Sequence, residues 1–176
     1  MGALAQAVRA GKALYVGISS YNGQRTRQAT AIVREMGVPL LIHQPSYSMI
    51  NRWLEADGLL ETLGDVGAGS IAFSPLAQGM LTSKYLVDIP TKSRVSDNSS
   101  LSSSFIKPET MERIRGLNSI AAERGQTLAQ MALAWVLRAQ PVGQITTALI
   151  GARTSEQIRD LSLIHISEPT RRRGIS

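Results

Sequence analysis

Four short apolar runs recur along this 176-residue chain, and each breaks off into polar residues at its C-terminal end. Ala13-Leu14-Tyr15-Val16-Gly17-Ile18 gives way to Ser19-Ser20, and Val38-Pro39-Leu40-Leu41-Ile42 to His43-Gln44. Ser70-Ile71-Ala72-Phe73 stops at Ser74-Pro75, and Thr146-Thr147-Ala148-Leu149-Ile150 at Gly151-Ala152-Arg153. Runs that are apolar throughout suit strands of a parallel sheet covered on both faces.

Helical patterns lie between them. Gln24 to Met36 carries Ala29, Ile32, Val33 and Met36 at helical spacing, with Gly37 as its stop. Leu54 to Leu63 is a shorter helix, and Glu109 to Arg124 a longer one ended by Gly125. Leu128, Met131, Ala132, Trp135 and Val136 form a wide apolar stripe behind Thr127, an N-cap residue. Thr154-Ser155-Glu156-Gln157 fits a capping box that opens a last helix. The order is strand then helix four times, with one extra helix before the last strand. Right-handed crossovers then build a parallel α/β sheet, either open and doubly wound or part of a barrel. Both architectures bind ligands at the C-terminal ends of their strands, where the polar residues fall. No Gly-x-Gly-x-x-Gly follows the first strand, so the barrel is the expected fold.

Composition removes whole classes of function. Without cysteine there are no disulfides, thiolate nucleophiles or thiolate metal sites. No apolar run approaches the roughly 20 residues of a membrane span, and Met1 to Arg9 does not read as a secretory signal. A soluble cytoplasmic protein with no membrane partner is expected. The formal charge is +6, but the cations are scattered and lack interleaved aromatics, so no nucleic-acid partner is expected. Asp88 to Pro108 is Ser-rich and aperiodic, a surface loop or a lid on the ligand side. Lys84, Lys92 and Arg94 in or beside it would suit a phosphate, although solvated loop cations fit the same spacing.

The inventory of acids and bases is thin. His43 ends an apolar strand, where a satisfied core histidine is the common role, and no His-Glu-x-x-His, carboxylate pair or Ser/His/Asp set can be assembled. Tyr15, Tyr21, Tyr47 and Tyr85 could donate a proton only beside a cation that lowers the pKa. Binding groups are richer: Ser19, Ser20 and Gln44 at two strand ends, Phe73 and Ser74 at a third. Gly151 to Thr154 brings Arg153 to the start of a capped helix. These residues point to anion or nucleotide binding without visible catalysis.

Gly17-Ile18-Ser19-Ser20-Tyr21, His43-Gln44-Pro45-Ser46-Tyr47, Ser74 to Tyr85 and Ile150 to Gln157 resemble, in order and spacing, the C-terminal half of an aldo-keto reductase. The likeness covers nearly everything from Met1 to Asp160. Detail in Leu41 to Arg52 and Ser74 to Tyr85 is most like bacterial reductases of glyceraldehyde phosphate and methylglyoxal, with potassium-channel beta subunits as near relatives. The resemblance implies an α/β fold, strands five to eight of a (β/α)8 TIM barrel, binding NADPH at its C-terminal face. It places Ser19 and Gln44 on the nicotinamide carboxamide and Phe73 against the nicotinamide ring. Ser20 stands where many members have Asn. Ser74, Leu76, Gln78, Lys84 and Arg94 would grip the pyrophosphate, and Gly151, Arg153, Gln157 and Asp160 the adenosine and its phosphate. The family's catalytic Asp, Tyr, Lys and His would lie upstream of Met1, so no residue here takes those roles and none is a metal ligand. The expected parent is an NADPH-dependent oxidoreductase of small carbonyl compounds; a non-catalytic, channel-subunit-like NADPH binder is the alternative. The fragment itself is expected to be inactive and self-associating.

Residues 1–160 are thus expected to be a partial barrel. Leu161 to Arg171 resembles a translated sequencing adapter, which makes 161–176 a non-native tail.

Overall fold

The computed structural model describes residues 1–86 and 108–162. The described residues divide into two compact units, one of 1–75 with 136–150 and another of 76–86, 108–135 and 151–162.

The first unit holds the sheet. Helix α1 (Gly2–Arg9) precedes β1 (Val16–Ser19), α2 (Gly23–Glu35), β2 (Leu40–Gln44), α3 (Trp53–Ala56), α4 (Leu59–Val66) and β3 (Gly69–Ala72). After the second unit's helices the chain returns as β4 (Thr147–Ala148). All neighbours pair in parallel, in the order β1-β2-β3-β4. The parallel α/β reading therefore holds, with four described strands.

Burial corrects the expectation of a sheet covered on both faces. Along β1, Val16 and Ile18 are buried while Gly17 and Ser19 are exposed. Val16 and Ile18 join Ala5, Ala29, Val33, Val38 and Leu40 in one core on the helix side. The first strand is also shorter than its apolar run. Leu14 and Tyr15 are 82% and 66% exposed, because β2 offers its first partner, Leu40, only at Val16. The last strand shrinks to two residues, although Leu149 N still donates to Ala72 O at 2.8 Å.

Local chemistry explains the helices. Asn22 caps α2 by accepting from Arg25 N at 2.9 Å, and Gly37, at φ 73°, follows its end. Of the expected Ala29–Ile32–Val33–Met36 stripe, Ala29 and Val33 are buried and Met36 packs against the same core, while Ile32 is exposed; Thr26 and Thr30 complete the buried face. Thr26 and Thr30 tolerate burial because each hydroxyl donates to the carbonyl four residues back, both at 2.8 Å. The single helix expected from Leu54 to Leu63 is two, broken at Gly58 with φ 71°. Gly23 has no room for a side chain: a Cβ there would lie 2.9 Å from Thr62 Oγ1. Its N–H instead donates to Asp57 Oδ2 at 2.6 Å, tying α2 to the α3–α4 break.

The second unit holds two 3-10 turns (Ala77–Gly79 and Ser83–Tyr85), α5 (Pro108–Glu123), most of α6 (Leu128–Val136) and α7 (Ser155–Ser162). Leu128, Met131 and Ala132 are buried, as the apolar stripe requires. Helix α7 runs on through Leu161, which is buried, and Ser162. The loop from Asp88, with Lys92 and Arg94, lies outside the described residues, as does the tail beyond Ser162. Among the described residues no helix is long and apolar enough to cross a membrane.

Candidate functional site

At the C-terminal edge of the sheet, parallel pairing sets Ser19 of β1 opposite Gln44 of β2. Gln44 O accepts from Ser19 Oγ at 2.8 Å and from Ser20 N at 3.2 Å, and the two serine hydroxyls lie 3.3 Å apart. Ser20 turns the chain at φ 58°, an uncommon conformation for a non-glycine residue. Three of the sequence-derived residues therefore form one hydrogen-bonded group. The half-buried Gln44 side-chain amide has no hydrogen-bond partner among the described residues.

The next strand end is fastened to this one through backbone. Phe73 N donates to Pro45 O at 2.9 Å, and Tyr47 N donates to Phe73 O at 3.2 Å. Phe73 is half-buried, and Ser74 follows at φ 54°. Such positive-φ positions at strand ends are where functional strain accumulates.

Beneath this edge lies a network that the sequence did not reveal. Tyr47 is fully buried, and its hydroxyl donates to Glu55 Oε1. Arg138 Nη1 donates to the same hydroxyl at 3.2 Å, and Arg138 Nη2 reaches Glu55 Oε1 at 3.2 Å. Arg52 completes the cluster, its Nη2 at 2.5 Å from Glu55 Oε2. The Arg52 hydrogen bond, with smaller contributions from Tyr47 and Arg138, lowers the Glu55 pKa to about 2. Burial, followed by the bond to Glu55, raises the Tyr47 pKa despite Arg138. Tyr47 thus meets a cation without becoming the activated acid that such a neighbour could create. Ninety-one residues separate Tyr47 from Arg138, so no local pattern joins them. His43 is buried in the core, as expected, but only one of its ring nitrogens is satisfied: Nδ1 is buried without a hydrogen-bond partner among the described residues. Burial lowers its pKa, and Nε2, donating to Tyr21 O at 3.0 Å, carries the proton.

The other sequence-derived residues belong to the second unit. Leu76 O accepts from Gly79 N at 2.9 Å and Leu81 N at 3.2 Å, closing a tight turn in which Ala77 and Gln78 have φ 47° and 59°. Gln78 is exposed on that turn. Lys84, also exposed, has its N–H on Thr82 Oγ1 at 3.3 Å. Gly151 and Arg153 are exposed before α7. The capping motif forms, with Gln157 N on Thr154 Oγ1 at 3.3 Å, but Gln157 Oε1 accepts from Arg153 N at 2.8 Å. Asp160 is held by Gln130, whose Nε2 donates to its Oδ1 and its O, each at 2.9 Å. Gln130 was missed, although Thr127-Leu128-Ala129-Gln130 carries a capping-box signature that singles it out. Arg94 lies outside the described residues. Among the described residues no cluster of His, Asp and Glu could hold a metal ion.

The model of the aldo/keto reductase family matches residues 1–163. The chain belongs to that family. It is 48% identical to L-glyceraldehyde 3-phosphate reductase of Escherichia coli (strain K12), over 90% of this chain and 46% of the relative. It is 36% identical to "Uncharacterized oxidoreductase YrpG" of Bacillus subtilis (strain 168), over 87% of this chain and 44% of that one. A protein of Oryza sativa subsp. japonica named "Probable voltage-gated potassium channel subunit beta" is 32% identical, over 84% and 45%. The chain spans about half the length of the curated relatives it matches. The family fold is a (β/α)8 barrel, to which a four-stranded parallel α/β sheet is suited.

Aldo-keto reductases use a nicotinamide cofactor, and each unit, taken by itself, holds residues that suit one part of such a molecule. The open Gln44 amide beside two serine hydroxyls suits a carboxamide, and the half-buried Phe73 offers a ring to stack on. The exposed Arg153 suits a phosphate at the start of α7.

Proposed function

We propose that the chain is the cofactor-binding part, strands five to eight, of a cytoplasmic NADPH-dependent aldo-keto reductase that reduces small aldehydes or ketones. The observation that carries this reading is the Ser19–Ser20–Gln44 group, brought together by parallel register at adjacent strand ends. Ser19 and Gln44 would hold the carboxamide, and Phe73 would set the plane of the ring. Ser74, Leu76, Gln78, Lys84 and Arg94 would line the pyrophosphate, and Gly151, Arg153, Gln157 and Asp160 the phosphorylated adenosine. Bound NADPH supplies a hydride to a carbonyl carbon. The described residues would bind and orient; the Asp, Tyr, Lys and His of the chemistry belong to sequence outside this chain. Greater identity to a reductase than to a potassium-channel relative favours an enzymatic parent. By the same likeness, a phosphorylated aldehyde such as L-glyceraldehyde 3-phosphate is a fitting substrate for that parent.

Calorimetric titration with NADPH and NADH tests the reading, on the chain and on its Arg153→Ala variant. NADPH is expected to bind more tightly, through a guanidinium on the extra phosphate, and the variant to lose that preference. No NADPH binding, or an unchanged NADPH/NADH ratio in the variant, contradicts it. The chain alone is expected to show no carbonyl reduction, since a positioned general acid contributes about 10²–10⁴-fold. Turnover in a sample depleted of host reductases would refute that.

A further inference from the structure

Gln130 uses both ends of its amide. Its Oε1 accepts from Thr127 N at 2.9 Å, while its own N–H donates to Thr127 Oγ1 at 3.2 Å, a reciprocal cap on α6. That cap needs only the oxygen. Its Nε2 turns the other way and donates to Asp160 twice, at Oδ1 and at the main-chain O, both at 2.9 Å. The residue is 8% exposed, so water competes little for either end. A carboxamide alone among similar side chains meets both demands. Glutamate would keep the acceptor but turn a second oxygen on the Asp160 carboxylate, and methionine would supply neither group.

We infer that Gln130 is a positioning residue for the adenosine end of the nucleotide. It holds one Asp160 carboxylate oxygen and the α7 main chain behind it. The other oxygen, Oδ2, has no hydrogen-bond partner among the described residues and is left to accept from a ligand N–H or O–H. Gln130 is not itself placed against the nucleotide; it acts through the site residue it holds, Asp160. The inference rests on the reading of Gly151 to Asp160 given under Proposed function.

The experiment titrates 2′,5′-ADP, the adenosine half of the cofactor alone, into the chain and four variants. Gln130→Glu should weaken binding at least about tenfold, the scale of a hydrogen bond to a charged group. Thr127→Val removes one cap bond and leaves the Asp160 contact, so it should lower the Tm while affinity stays within about twofold. The double variant Gln130→Glu/Asp160→Asn exchanges amide and carboxylate across the same contact, and should recover most of the lost affinity. Gln130→Met loses the donor without adding charge; it should also weaken binding, and it stands in if Gln130→Glu does not fold. Unchanged affinity in the folded Gln130 variants overturns the inference. So does a loss in Thr127→Val equal to theirs, which would trace the effect to helix stability. Failure of the unaltered chain to bind 2′,5′-ADP overturns the site reading itself, and the inference with it.

Discussion

Glu55 joins a buried tyrosine to two arginines, and its titration should be visible in the stability of the chain. Its pKa falls from the usual 4.5 to about 2, chiefly through Arg52. A carboxyl depressed by folding contributes stability that is complete above its unfolded pKa and is lost as pH drops through the folded one. The loss should therefore run from about pH 4.5 down to pH 2, on the order of 1 kcal/mol because Arg52 is exposed and solvent screens the pair. Glu55→Gln should flatten that part of the profile. Urea melts across pH 2–6 check it, and parallel curves for the two proteins would exclude the network as a source of acid sensitivity. His43, whose pKa burial lowers from 6.5, contributes stability that is complete above that value and is lost as pH falls below it. Of these residues only His43 was legible, because it ends an apolar run. That Ser19 and Gln44 stand at adjacent strand ends could be read for the same reason: a polar residue after an apolar strand marks the C-terminal edge of the sheet. Tyr47, Glu55 and Arg138 could not, since their contact depends on a chain reversal of more than eighty residues.

Elements were easier to read where chemistry marks their ends. The last helix begins where its capping box stands, and α5 departs by one residue at each end from the span between the aperiodic loop and Gly125. Strand lengths were less legible, because an apolar run states what would be buried without stating which partner is present. Leu14 and Tyr15 are β-prone and exposed, lying before the first paired residue. Gly23 was hidden for a related reason: its need for glycine comes from Thr62 and Asp57, on the far side of β2 in sequence. Gly23→Ala should therefore cost about 1–3 kcal/mol, since the added methyl must displace Thr62 and lengthen the bond to Asp57. At an ordinary helix position the same change would be stabilising. Paired denaturation curves decide, and an unchanged midpoint would show that α2 can shift away from the α3–α4 break freely.

The largest expectation concerns the sheet as a whole. In a family whose fold closes eight strands, the described residues form four, so β1 and β4 both end the sheet. Unpaired parallel edges present rows of N–H and C=O groups that recruit other strands. One face also remains open: Gly17 and Ser19 are exposed on β1, Leu41 is 44% exposed on β2, and Leu149 is 52% exposed just past β4. At about 25 cal/mol per Å², leaving several hundred Å² of apolar surface in water forfeits several kcal/mol, comparable with the whole stability of a domain. Pairing β1 of one copy with β4 of another, and the reverse, keeps every ladder parallel and removes both edges at once. A two-fold axis relates the copies, so the same patch serves on each side. We therefore expect the chain to self-associate, as a dimer at low concentration and with concentration-dependent melting. A proline at Gly17, which lies opposite Ile42 within the ladder, should weaken the sheet whether or not copies associate. Lysine at Leu149, just beyond the last paired residue of β4, should oppose edge pairing while leaving the helix-side core untouched. Size-exclusion chromatography with light scattering distinguishes the outcomes. A Leu149→Lys variant that moves from dimer to monomer supports edge closure, and an unaltered chain that is monodisperse, monomeric and cooperatively melting shows that these edges are satisfied without a partner.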